Sequence, residues 1–65
     1  MIRVTRLGST LPIAVNAELI ETVESTPDTL ITLTTGHRLL VQESVEAVVG
    51  LVLEYRRAIG ATRGG

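Results

Sequence analysis

Residues 24–44, ESTPDTLITLTTGHRLLVQES, decide the architecture of this chain. The stretch reads as a hairpin with a turn signal at each joint. Thr26-Pro27-Asp28 opens it, because proline presets φ at about −65° and aspartate can bond its own backbone just downstream. Thr29 to Leu33 then alternates β-branched and apolar residues, a run suited to a pleated surface. Thr34-Thr35-Gly36 reverses the chain, with Gly36 free to take the left-handed conformation that closes a three-residue hairpin loop with a G1 bulge. His37 to Gln42 returns. This predicts a register pairing Leu33 with His37, Ile31 with Leu39 and Thr29 with Val41. One face then carries Ile31, Leu33, Leu39 and Val41, and the other carries Leu30, Thr32, Arg38 and Leu40.

The rest of the chain supplies what the hairpin needs to bury its apolar face. Ile2 to Leu7 reads as a first strand, Gly8-Ser9-Thr10 as a turn, and Leu11 to Val15 as a second strand. Pro12 lacks a ladder donor and favours an edge or a strand start. Asn16 suits the cap of a single helical turn at Ala17 to Leu19, with a plain loop as the alternative. Ile20 to Glu24 reads as a third strand in which Ile20 and Val23 break strict alternation, so a bulge or a late start near Glu21 is expected. Ser44 caps a helix to about Ile59, with Glu46 at the positive end of its dipole. Ala47 stands where a complete capping box needs Glu or Gln.

Val45, Val48, Val49, Val52, Tyr55 and Ile59 share one helical stripe, with Leu51 and Leu53 on either side of it. That apolar arc is wider than one sheet face requires. Gly50 costs about 1 kcal/mol relative to alanine inside a helix and leaves room for close backbone approach. Arg56 and Arg57 suit the helix C-terminus, Gly60 a C′ position, and residues 61–65 a flexible tail. The predicted fold is α+β: a small antiparallel sheet or partly open barrel of about five short strands, followed by one C-terminal helix packed on it. Residues 1–60 form a single domain.

Sixty-five residues bury a small share of their surface, and such chains usually need a staple. There is no cysteine and only one histidine, so disulfides and metals offer little, yet 45% of the residues are hydrophobic. That combination predicts self-association or a partner surface, with a well-packed monomer as the alternative. The absence of cysteine fits a reducing compartment. Residues 1–6 show no apolar run of the signal-peptide kind, and Val45 to Leu53, broken by Glu46 and Gly50, is too short to span a bilayer. These features predict a soluble, cytoplasmic protein. The net charge of −1, six arginines with no basic stripe and a single aromatic, Tyr55, disfavour nucleic-acid binding.

The residues offer little for catalysis. His37 stands alone beside the hairpin turn, and sites need convergent groups. Glu21, Glu24 and Asp28 lack the close spacing around glycine of an oxygen-ligand loop, and read as a solvated acidic edge. Gly8-Ser9-Thr10 has neither the spacing nor the lysine of a phosphate loop. Tyr55 on the helix stripe reads as a core or interface residue with its hydroxyl toward water. No catalytic, cofactor-binding or metal-ligating residue is predicted.

Several short motifs, in order, carry a resemblance: Met1-Ile2 with Val4-Thr5-Arg6-Leu7, then Val15-Asn16 and Leu19-Ile20-Glu21. Thr26-Pro27-Asp28-Thr29, Ile31-Thr32-Leu33 and Gly36 follow, then Val41, Glu43-Ser44 and Tyr55-Arg56-Arg57. From Met1 to about Ile59 the chain resembles the FlbD family of small flagellar proteins, called SwrD where they support swarming. Two departures concern turns. The family usually has Asn-Gly after the first strand, where Leu7 is followed here by Gly8-Ser9, and Asn-Gly at the hairpin, where Thr35 precedes Gly36. The resemblance implies a cytoplasmic, non-enzymatic accessory of the bacterial flagellum, peripheral at the flagellar base. Related proteins are encoded among flagellar genes and linked to motor power, which implies flagellar motor or stator proteins as partners. It brings no catalytic or ligand residues and no cofactor.

An alternative of another class is a small RNA-binding regulator, since Thr5-Arg6, short strands and a terminal helix are similar to the strand-swapped carbon-storage regulator family. The charge balance argues against it. The candidate interaction surface is the mixed hairpin face, Leu30, Thr32, Arg38 and Leu40, with Leu51, Leu53 and Tyr55 of the helix. The mixed face is expected to be covered either by the N-terminal strands or by another subunit of a homo-oligomer.

Overall fold

The computed structural model describes residues 1–62, with side chains through residue 60. In chain order it contains β1 (Ile2–Thr5), β2 (Pro12–Val15), a 3-10 turn (Ala17–Leu19), β3 (Ile20–Ser25), β4 (Thr29–Leu33), β5 (Arg38–Val41) and α1 (Val45–Thr62). The strands form two antiparallel sheets, β1-β2 and β3-β4-β5. The α+β expectation holds. The sheets do not close into a barrel, since β2 and β3, the outer strands, are not paired with each other.

The hairpin has the predicted register: Thr29 faces Val41, Ile31 faces Leu39, and the Leu33 N–H donates to the His37 carbonyl at 2.8 Å. Gly36 sits at φ 94° and its N–H donates to the Leu33 carbonyl at 2.9 Å, which completes the three-residue loop. At the β3–β4 joint Ser25 faces Thr29 across Thr26-Pro27-Asp28, with the Thr26–Pro27 bond cis. The turn is closed differently from the expected aspartate bond. The Thr26 N–H donates to the Asp28 carbonyl at 3.0 Å and the Ser25 hydroxyl to the Pro27 carbonyl at 3.2 Å.

The remaining strands follow the sequence with shifted ends. Strand β1 stops at Thr5, short of Leu7, because the turn begins earlier than Gly8: the Ser9 N–H reaches the Arg6 carbonyl at 3.0 Å, with Gly8 at φ 82° in the third position. Pro12 heads β2, opposite Thr5, where its missing donor costs nothing. Asn16 caps the 3-10 turn through a 3.0 Å bond from the Glu18 N–H to its side chain, so the helical-turn reading of 17–19 is the correct one. In β3 the register slips between Ile20 and Thr22, leaving Glu21 as the extra residue of a bulge. The slip lets Ile20 and Val23 both turn toward the core.

That core lies between the two sheets and the helix. Ile2, Val4, Val15, Ala17, Ile31, Val41 and Val48 are buried, with Ile13, Ile20, Val23, Leu33, Leu39, Leu51, Val52 and Tyr55 packed around them. Helix α1 rests on β1 and β3. Its first turn is capped by Ser44, whose hydroxyl accepts the Ala47 N–H at 3.1 Å. Two helix expectations change. The inward stripe includes Leu51, half-buried against the core, while Val49 is exposed, because a helix seated on both sheets turns a different arc inward than one seated on the hairpin alone. The helix also continues through Gly60 to Thr62, so Gly60 is not a C′ residue and Arg56 and Arg57 precede the last turn. The rest of the expected tail, 63–65, lies outside the described residues.

Two substitutions test this packing. Ile31→Val should lower unfolding free energy by about 0.5–1.5 kcal/mol, the usual cost of one methylene removed from a closed core. Gly50 is exposed, and a Cβ there would meet nothing within 4 Å. Gly50→Ala should therefore raise stability by about 0.5–1 kcal/mol in urea denaturation. A loss at Gly50→Ala would contradict the open helix face described here.

Candidate interaction surface

The corner where β5 leaves the hairpin fixes how the two sheets meet. After Val41, the Gln42 N–H donates to the Thr5 carbonyl at 2.8 Å, and the Leu7 N–H donates to the Leu40 carbonyl at 2.9 Å. Arg6 and Val41 form an isolated antiparallel bridge between these bonds. The Gln42 side-chain amide donates to the carbonyls of Arg6 at 3.0 Å and Ser9 at 2.6 Å, holding the Gly8 turn. The Glu43 carboxylate accepts the Thr5 N–H with both oxygens, at 2.9 and 3.0 Å. Burial alone would raise the Glu43 pKa. The Thr5 and Glu43 backbone N–H groups and the Thr5 hydroxyl outweigh it and hold the carboxyl below its ordinary value of 4.5.

This corner decides which hairpin face is open. It delivers β1 and β2 to the face of Ile31 and Val41, so Ile2, Val4 and Val15 join the core there. The mixed face is left uncovered by the N-terminal strands. Across it Leu30 faces Leu40 and Thr32 faces Arg38, with Glu24 beside Leu30 and Thr22 beside Thr32 on β3. Leu40 is 46% exposed and Arg38 is exposed, while Leu30 and Thr32 are half-buried. Leu7, 47% exposed, lies against the Leu40 backbone and extends the apolar strip beyond the hairpin edge.

The helical part of the predicted surface divides. Leu53 is 59% exposed, whereas Leu51 and Tyr55 are half-buried against the core. Leu51 therefore belongs to the packing of this chain. The four hairpin residues share one sheet face, and Leu53 lies on α1, away from them, beside an open groove lined by Ile20, Val23, Val49 and Val52. Leu7 and Val49 were missed by sequence reasoning. Leu7 had been assigned to a strand, and Val49 to the buried stripe.

The arrangement offers little chemistry. His37 is exposed at the hairpin tip, with its Nδ1 2.9 Å from the Thr35 hydroxyl in a hydrogen bond across the turn. Among the described residues no group of three or more His, Asp or Glu side chains is placed to hold a metal ion. Among the described residues no helix is long and apolar enough to cross a membrane. A groove of about 360 Å³ near the N-terminus of α1 is open to solvent.

Fold and surface together define a small α+β module that presents apolar strips on a sheet face and a helix flank. A family model, FlbD, flagellar and swarming motility proteins, matches residues 1–60, and the chain belongs to that family. The match bears out the resemblance read from the short motifs. No curated protein and no solved structure matches the chain.

The corner carries a pH signature. Because the folded pKa of Glu43 is lowered, its contribution to stability is present above the ordinary carboxylate range and is lost as pH falls through the folded value. Glu43→Ala should cost about 1–3 kcal/mol at pH 7, the range for a hydrogen bond to a charged group and a stranded donor. The gap between wild type and variant should narrow when urea denaturation is repeated near pH 3. A gap that stays constant from pH 7 to 3 would show that the carboxylate charge does not hold the corner.

Proposed function

We propose that this protein is a non-enzymatic accessory of the bacterial flagellum that supports motility and swarming by binding another protein. The family match over residues 1–60 carries this reading. The open sheet face gives a binding role a physical basis. Leu7, Leu30 and Leu40 supply apolar area at the centre of that face. Glu24, Thr22, Thr32 and Arg38 frame them with polar groups of both signs, the composition of a protein-binding patch with a polar rim. The flagellar partner on this reading is a motor component near the stator, met at the cytoplasmic side of the flagellar base. No observation favours the RNA-binding alternative: the described arginines stand on β1, its following turn, β5 and α1, without a shared stripe.

Deleting the gene in its native host should impair swarming strongly and swimming to a lesser degree. Leu40→Glu, expressed at wild-type level, should fail to restore swarming, because a buried charge in an interface costs far more than the ~0.5 kcal/mol expected of an exposed substitution on folding. Undiminished motility of the deletion strain would overturn the flagellar reading. Full rescue by Leu40→Glu would move the binding site off this face.

A further inference from the structure

We infer that a second copy of this chain docks on the flank of α1, in the groove between α1 and β3, to form a two-fold dimer with antiparallel helices. The groove holds about 250 Å³ and is lined by Ile20, Val23, Val49, Val52 and Leu53, with Glu21 and Arg56 as its charged groups. Val49 and Leu53 are 43% and 59% exposed, although each stands one helical turn from the other on a helix that otherwise packs its apolar residues inward. A solvated leucine and valine over a half-buried apolar floor are what a missing partner leaves uncovered.

The occupant is identified by charge and symmetry. A two-fold axis brings the same patch of both copies together, so each feature must find its complement within one chain. Glu21 and Arg56 line the same groove with opposite charge, and neither forms an ion pair among the described residues. An antiparallel helix pair whose axis passes between Val52 and Leu53 places Leu53 against Val52 of the partner subunit. It also sets Arg56 beside Val49 of the partner subunit, in the groove that contains the partner subunit's Glu21. Opposite charges are thereby exchanged twice across the axis, whereas a like-charged patch would repel its own copy.

The size of the strip sets the strength. The helical lining of the groove runs from Val49 to Arg56, ~12 Å of α1, so the contact is small. About 1,000 Å² in total is the lower bound for a specific interface, so the dimer should be weak, with dissociation in the micromolar range. Its residues lie apart from the Leu7–Leu30–Leu40 face, so the dimer would present two such faces at once and gain avidity for a repeated partner.

Sedimentation of the purified full chain from 1 to 500 µM, which reads assembly apart from motility, tests the inference. A concentration-dependent rise to the mass of two chains is expected. Leu53→Glu should abolish the rise while circular dichroism and thermal midpoint stay those of the wild type. Glu21→Arg should weaken association about tenfold, and Glu21→Arg combined with Arg56→Glu should restore it, a rescue that a purely structural role of either residue would not give. A one-chain mass throughout, an unaffected dimer in Leu53→Glu, or no rescue by the double exchange would overturn it.

Discussion

The hydrogen bonds that Gln42 and Glu43 send to the end of β1 hold this structure together as one unit. The three-stranded sheet β3-β4-β5 and the two-stranded β1-β2 are separate sheets, and a two-stranded sheet alone is marginal in water. At the corner the Thr5 N–H and carbonyl are both taken, by the Glu43 carboxylate and the Gln42 N–H, while the Gln42 amide holds the turn that follows. These bonds join residues 33 to 38 positions apart in sequence. They place Ile2 and Val4 over Ile31 and Val41, and the core forms because of that placement. Glu43 then gives way at once to Ser44, the cap of α1, so the same short segment also launches the helix onto β1 and β3.

One consequence is that the hairpin has an inside and an outside. Had the N-terminal strands folded across Leu30 and Leu40, the surface with a claim to function would have been buried. The corner puts them on the other side, and the outer face is left with leucines framed by charges. The helix shows the same asymmetry. Tied to two sheets, it turns Val48, Leu51, Val52 and Tyr55 inward and leaves Val49 and Leu53 outside. A chain of this length buries a small share of its surface, so each of these exposed apolar side chains weighs on its stability.

The parts of the fold legible in the sequence are those determined locally. Gly36 and the alternation in Thr29–Leu33 specify the hairpin register without help from the rest of the chain, and the mismatch of Ile20 with Val23 announces the Glu21 bulge. Ser44 and Asn16 declare themselves as caps by residue type and position. What was illegible depends on distant partners. Nothing in Gln42-Glu43 as a dipeptide says that it meets Thr5, Arg6 and Ser9. The helix stripe was misread at Val49 and Leu51 because α1 is apolar over too wide an arc for periodicity to choose, and only the second sheet breaks the tie. The shared face of Leu30, Thr32, Arg38 and Leu40 follows from strand alternation, whereas the half-burial of Leu51 could not be read because periodicity leaves the helical phase open.

Native-state hydrogen exchange tests most directly whether the corner makes the two sheets a single cooperative unit. The amides of Thr5, Leu7 and Gln42 should open with the same free energy as that of Ile31 in the hairpin, and the whole set should shift together as denaturant is added. Exchange of Thr5 and Leu7 through a local opening, at much lower free energy while Ile31 stays protected, would show that β1-β2 is an appendage and contradict the account.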